Sequence, residues 1–523
     1  MKTVVVIGAG PAGLTTAYQL LKSNEKFQII IIEKCNQAGG ISKTVKHREN
    51  RIDLGGHRFF SKEEEINKIW LELLPLQGTP IDEKFEVLQK DSYLGVVNPN
   101  IEDQVMLQRR RVSRIYYDNK FFDYPINIDL DTLKKLGLFK SIKCAGGYLW
   151  SSLFKCKGNS LEAFYINRFG KPLYELFFKE YTTKLWGVSP KELDSSWGEQ
   201  RVKKLSLSKV IFDFIGRTFC KHYKTKDTSL IEEFYYPKYG PGQLWETMAK
   251  VIEDEGGKFI YNATCREINF EDTQIKSIKI QFANGGSDTI DCDYLISSMP
   301  IKELIASMAI DVPKDVRYIA DNLPYRDFVT VGVLVKRVLL HNNSNIKTLN
   351  DIPPDCWIYV QDRKVKMGRI QIFNNWSPFL VNKPKDTVWL GLEYFCSETE
   401  QFWNMSDKEI EDMAIKELQQ MNIIDKEDVL DCTVLKQQKA YPAYFGTYSQ
   451  FDKVRLYLQQ FTNLICVGRN GQHRYNNMDH SMLTGIQAAN YIMGKNDIYS
   501  VWNVNTKKKY HEEGKYDDNN AEA

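Results

Sequence analysis

Four apolar residues, Val4-Val5-Val6-Ile7, open the chain; Gly8-Ala9-Gly10-Pro11-Ala12-Gly13 interrupts them, a helical period runs from Leu14 to Leu21, and Phe27 to Ile32 ends on Glu33. This order predicts strand, glycine turn, helix and strand, with an acid at the tip of the second strand. Gly8 permits the tight turn, Gly10 lets a pyrophosphate approach the backbone, and Gly13 lets helix and sheet pack closely. The free N–H groups at the helix start, around Pro11 and Ala12, attract the anion, and Glu33 is placed to accept hydrogen bonds from a ribose. A bare GxGxxG is a weak signal. Flanked by strand, helix and acid, it predicts a dinucleotide site.

Further along, the periods change character. Glu63 to Trp70 reads as an amphipathic helix, and Arg114-Ile115-Tyr116-Tyr117, Asp118-Asn119 and Phe121 to Tyr124 read as a hairpin. Helical periods dominate from Leu130 to about Thr228. Phe234 to Gly242 supplies a turn, Gln243 to Glu255 a helix stopped by Gly256-Gly257, and then come short strands ending at Tyr294 to Ser298. A second strand-rich portion runs from Phe328 to Tyr394, an amphipathic helix from Asp407 to Met421, a buried strand from Leu464 to Val467 and a helix from Met482 to Met493. The chain is accordingly divided into a dinucleotide-binding domain in three parts (1–78, 231–305, 456–500), a sheet region in two parts (79–129, 306–455), an inserted helical substrate region (130–230) and a polar tail (501–523).

Composition narrows the function classes. With 43% apolar residues among 523, the chain can bury a large core. Its 70 basic and 67 acidic residues leave a net charge of only +3, so no global field favours nucleic acid or an anionic membrane, and any anion binding must be local. Arg109-Arg110-Arg111 reads as a solvated charge run. The ten cysteines form no CxxC pairs or His-Cys clusters, so neither a zinc site nor a disulfide framework is expected. No apolar run approaches the ~20 residues of a membrane span, and the glycines break the N-terminal run that might pass for a signal peptide. A soluble, cytoplasmic protein is expected.

The extra glycines Gly39-Gly40 after Lys34, and Asp53-Leu54-Gly55-Gly56-His57, indicate backbone lying against a second part of a cofactor. This layout resembles the two-dinucleotide-domain flavoproteins that hold FAD. It implies an α/β fold: a Rossmann-like FAD-binding domain with an inserted helical region and a mixed or antiparallel sheet region. A narrower resemblance comes from Gly468-Arg469-Asn470-Gly471-Gln472-His473-Arg474-Tyr475-Asn476-Asn477-Met478-Asp479-His480-Ser481. This run resembles the C-terminal flavin and substrate segment of the UDP-galactopyranose mutases, especially the longer eukaryotic-type ones, although Met478 stands where glutamine is the pattern. The histidine loop Asp53 to Ser61, the segment Trp197 to Val202 and the segment Arg369 to Pro378 have counterparts in the same order.

That resemblance implies cofactor contacts from Gly8, Gly10, Pro11, Ala12, Gly13, Glu33, Lys34, Gly40, Gly56, His57, Gly468, Arg469, Met478, Asp479 and Ser481. It implies catalytic roles for His57, Arg201 and Arg369, and substrate contacts from Tyr124, Arg201, Arg369, Tyr441, Arg474, Tyr475 and Asn477. Two guanidiniums gripping a diphosphate through forked, charge-assisted hydrogen bonds would position the sugar. The implied reaction interconverts pyranose and furanose rings of a nucleotide sugar, with N5 of reduced FAD as nucleophile at the anomeric carbon and no net redox change. It requires a cellular reductant for the flavin, NAD(P)H or another. The competing expectation is an FAD oxidoreductase of the amine oxidase, protoporphyrinogen oxidase or carotenoid desaturase group. Those enzymes commonly carry arginine after the second Gly-Gly and an acid after the C-terminal glycine, where this chain has Ile41 and Arg469.

Overall fold

The continuous burial of the first strand, from Val4 to Ile7, sets the architecture. In this computed structural model, which describes residues 1–81, 93–124, 130–195, 197–198, 233–344 and 346–506, strand Lys2–Ile7 pairs in parallel with Phe27–Glu33 on one side and Tyr294–Ser297 on the other. Leu464–Cys466 and Lys258–Tyr261 complete a five-stranded parallel sheet at its two edges. Val4 and Val6 point into a core shared with helices Pro11–Leu21, Pro241–Asp254 and Met478–Ile492. Val5 and Ile7, on the opposite face, pack with the three-stranded sheet 263–291 and the helices Ile301–Ser307, Lys314–Asp321 and Phe451–Leu458. Apolar side chains covered on both faces explain why these strands read as continuous hydrophobic runs.

A second sheet of seven strands runs in the order 429–442, 325–335, 388–396, 369–372, 357–360, 113–117, 120–123. All its pairings are antiparallel except that of Trp357–Val360 with Ser113–Tyr117. One face packs on helix Asp407–Gln420, whose start is secured by a capping box between Ser406 and Glu409. The other face carries Arg369, Gln371 and Glu393. Helices between Leu130 and Trp186 form a separate cluster around Leu161, Tyr174 and Trp186.

Three expectations change. Phe234-Tyr235-Tyr236-Pro237 is a strand, Glu233–Pro237, rather than a turn, and pairs with Met106–Arg110. That partner shows no alternation in Met-Leu-Gln-Arg-Arg, because Gln108 and Arg109 are buried and hydrogen-bonded to backbone carbonyls remote in sequence, those of Gln77 and Asn375. Arg109 is accordingly not solvated; it is 2% exposed and donates to the carbonyl of Asn375 at 2.8 Å. The last long helix starts at Met478 rather than Met482, so Asp479, His480 and Ser481 form its first turn.

Candidate active site

The carboxyl ends of the parallel strands converge on a cleft. Its walls include Gly8, Gly10, Pro11 and Ala12 after the first strand, Glu33 and Lys34 at the end of the second, Ser298 after the fourth and Gly468 and Arg469 after the last. Such a crevice is where open parallel sheets bind ligands. Glu33 is locked in place by its own backbone neighbours: one carboxylate oxygen accepts from the Ala9 amide at 2.8 Å and the other from Cys35 at 2.9 Å. A carboxylate has about four acceptor positions, so capacity for a ribose hydroxyl is left.

The glycines test whether a dinucleotide fits. A Cβ on Gly13 would meet the carbonyl oxygen of Gly8 at 2.1 Å, so this glycine serves the contact of helix and strand and does not line the cleft. A Cβ on Gly10 would meet nothing nearer than the Cα of Gly40 at 3.8 Å, so the space beside Gly10 belongs to the cleft. Helix Pro11–Leu21 begins at Gly10 with no side-chain cap on its first N–H groups. A phosphate there would meet backbone donors and the positive end of the helix. The residues present therefore fit a dinucleotide.

A second cavity adjoins the first. Ile41, His57, Gln437, Arg469, Asn477 and Met478 line both. The second holds four arginines, Arg58, Arg111, Arg369 and Arg469, together with Gly56, Tyr359, Tyr441, Tyr475 and Asp479. Strand geometry builds its floor. Arg369 and Gln371, two residues apart, project from one face of their strand, and Arg369 lies directly across from Glu393. The fully buried Glu393 accepts from both Arg369 and Gln371. Burial opposes the charge on Arg369, but Glu393 and the surrounding Tyr181, Tyr441 and Tyr359 more than offset it, holding the guanidinium firmly protonated. Arg369 Nη2 also lies 3.4 Å from the hydroxyl of Tyr441.

Arg469 sits at the junction. Its Nε donates to the carbonyl of Asn476 at 2.8 Å and Nη1 to that of Ala440 at 3.0 Å, which orients the guanidinium over the ring of Tyr475, 4.8 Å from its centre. Tyr475 in turn stacks on Tyr441 with ring centres 5.6 Å apart. His57 follows Gly55, whose φ of +95° makes the turn. Burial, then the positive charges of Arg469 and Arg369, push the His57 imidazole down to about 3. It is neutral at any ordinary pH.

The structure thus brings together most of the residues singled out from sequence, but distributes them between two cavities. Gly8, Gly10, Pro11, Ala12, Glu33, Lys34, Gly40, Gly468 and Ser481 line the first. Gly56, Arg369, Tyr441, Tyr475 and Asp479 line the second, so the residues expected to touch the cofactor, Gly56 and Asp479 among them, are divided between the two adjoining cavities. Tyr124 is set back from the wall, 4.7 Å from the ring of Tyr359. Arg474 is turned elsewhere: its Nη1 donates to the carbonyls of Trp502 and Val504, at 2.5 and 2.8 Å, tying down the C-terminal helix Ile498–Trp502. Arg201 lies outside the described residues. Sequence reasoning passed over Arg58, although it directly follows His57, and read Arg111 as part of a solvated charge run, whereas Arg111 lines the cavity with Nε and Nη1 buried; it also missed the Gln371–Glu393 support, which has no local signal.

Comparison with known proteins agrees with this architecture. The family model for the NAD(P)-binding Rossmann-like domain matches residues 6–73, and that for flavin-containing amine oxidoreductases matches residues 155–493. The chain belongs to the flavin-containing amine oxidoreductase family. It is a flavoenzyme of that wider group, which the nucleotide cleft fits. A probable UDP-galactopyranose mutase of Klebsiella pneumoniae is 26% identical over 208 residues, 37% of this chain and 44% of that protein. A phytoene desaturase of Phycomyces blakesleeanus is 22% identical over 329 residues, 56% of this chain and 47% of its own length. The chain thus spans about half the length of the curated relatives it matches. The crystal structure of reduced UDP-galactopyranose mutase superposes with a TM-score of 0.76 at 21% identity, covering 98% of this chain and 99% of that one. A protoporphyrinogen oxidase-like structure from Exiguobacterium sp. 255-15 gives 0.63 at 14% identity, covering 93% and 98%. The fold is that of the UDP-galactopyranose mutases.

Proposed function

We propose that the protein is an FAD-dependent nucleotide-sugar mutase that interconverts pyranose and furanose rings without net redox change. The observation that carries this reading is the arginine-rich cavity that shares His57 and Arg469 with the nucleotide cleft. Among the described lining residues arginines predominate, Arg58, Arg111, Arg369 and Arg469 beside Asp479, a composition that suits an anionic ligand such as a nucleoside diphosphate sugar. An alkylammonium would be repelled there, and a carotenoid hydrocarbon would have to desolvate the arginines for nothing in return.

FAD would be held by the glycine turn, Glu33 and the start of helix Pro11–Leu21, and when reduced it supplies the nucleophile for the anomeric carbon. The remaining work belongs to the chain. Arg369, braced by Glu393 and Gln371, and Arg111 would grip the diphosphate; Arg201 is the further candidate for that grip. Tyr441 and Tyr475 offer a stacked aromatic wall for the nucleotide or sugar. Neutral His57, at the boundary, offers a hydrogen bond without adding charge. A reduced flavin requires an electron donor such as NAD(P)H.

The matches to desaturases and to the amine oxidoreductase model favour a second reading, net oxidation by the same flavin. Titration of the dithionite-reduced protein separates them. UDP-galactose or UDP-glucose should perturb the reduced-flavin spectrum, and Arg111→Ala should weaken that binding about 10- to 100-fold, the loss of one charge-assisted hydrogen bond. Perturbation by putrescine and by neither nucleotide sugar would favour oxidation instead.

A further inference from the structure

Helix Leu138–Leu153 turns an apolar face outward. Leu138, Phe139, Ile142, Leu149, Trp150 and Leu153 recur at helical spacing, and each is more than 60% exposed, Phe139 reaching 83%. Nothing among the described residues covers them. The stripe cannot be relieved by rotation, because the opposite side of the helix is fully used. Cys144 and Ser151 are buried there, and a Cβ on Gly147 would meet Pro172 at 2.3 Å. A surface of this kind marks an interaction site.

Charge identifies the partner. Between Asp131 and Glu162 the chain has no acidic residue, but it has six lysines: Lys134, Lys135, Lys140, Lys143, Lys155 and Lys157. Of the acids on neighbouring elements, Asp118 approaches Lys140 at 3.5 Å, and Glu175 and Asp362 line the adjoining pocket together with Arg363 and Lys364. The segment remains strongly cationic in a protein whose net charge is only +3. A two-fold contact with a second copy would set these lysines against their equivalents. An anionic lipid surface instead satisfies both features: acyl chains take the Leu, Phe and Trp stripe, and headgroups take the lysines. At 16 residues the helix is too short to cross a bilayer, and no helix among the described residues is long and apolar enough to do so. We propose that helix Leu138–Leu153 seats the protein in the plane of a membrane leaflet rich in anionic lipids, with the catalytic cavities left on the aqueous side.

Vesicle flotation of the full-length flavoprotein tests this. The wild type should float with phosphatidylcholine–phosphatidylserine vesicles mixed about three to one and not with pure phosphatidylcholine, and raised salt should weaken the binding. Replacing Lys134, Lys143 and Lys157 by glutamine should weaken partitioning about a hundredfold. Phe139→Ser/Leu149→Ser/Trp150→Ser should abolish it. Both variants should keep the wild-type flavin absorbance, since all the altered side chains are exposed. Failure of the wild type to bind the anionic vesicles, or binding unchanged in either variant, would overturn the proposal. A wild-type dimer that the serine variant dissolves, with no vesicle binding by either, would assign the face to a second copy instead.

Discussion

Arg369 and Glu393 form a buried pair that would serve both stability and the proposed binding. Glu393 is fully buried, and Arg369 neutralises it while keeping its remaining donors toward the cavity. Arg369→Ala strands the carboxylate, which costs about 3–5 kcal/mol. Chemical denaturation should show that loss, and Arg369→Ala/Glu393→Gln should recover most of it while nucleotide-sugar binding stays lost. A double variant as unstable as the single would show that the buried charge is not the cause. Asp53 gives a pH signature. It is buried at the end of strand Asn50–Asp53, where burial pushes its carboxyl up to about 7 against the lowering effect of hydrogen bonds from Tyr236 and Thr44. The folded protein therefore holds a proton that the unfolded chain releases near pH 4. The stability this contributes is present at acid pH and lost as pH rises through about 7. Asp53→Asn should gain on the wild type by on the order of 4 kcal/mol between about pH 4 and about pH 8. Parallel stability curves for the two proteins would contradict this.

At the scale of elements, the two interior glycines of the first turn should fail differently. Gly10→Ala has room in the protein and should fold normally but lose flavin during purification. Gly13→Ala drives a methyl group into the Gly8 carbonyl and should lower the melting temperature as well. Equal melting temperatures for the two variants would contradict the packing role of Gly13. The same contrast shows what could be read in advance. The turn, its helix and Glu33 are legible because their roles follow from local spacing. Pairing of Met106–Arg110 with Glu233–Pro237 was hidden, because its partners lie far apart in sequence and neither alternates. The Arg369–Glu393 register is likewise set by strand pairing and has no local trace. Arg474 misled for a different reason. The preceding His473 is buried in a left-handed conformation, φ +44°, and beyond it the Arg474 side chain is anchored to the carbonyls of Trp502 and Val504 rather than to the cavity.

At the scale of the molecule, a near-neutral total charge conceals strong local differences. The nucleotide cleft, the arginine cavity and the lysine-bearing outer helix occupy different surfaces, and only the first two share a wall. In the proposed reaction the shared wall would couple a grip on a diphosphate to chemistry at a flavin, and the proposed mutase activity rests on that junction. The most direct test is an anaerobic assay of the dithionite-reduced protein with UDP-galactopyranose, its products resolved by chromatography. The account predicts an equilibrium mixture of pyranose and furanose forms, reached without stoichiometric consumption of reductant and lost in Arg369→Ala. An unchanged nucleotide sugar, together with stoichiometric hydrogen peroxide from the aerobic oxidised protein and an amine or porphyrinogen, would contradict it.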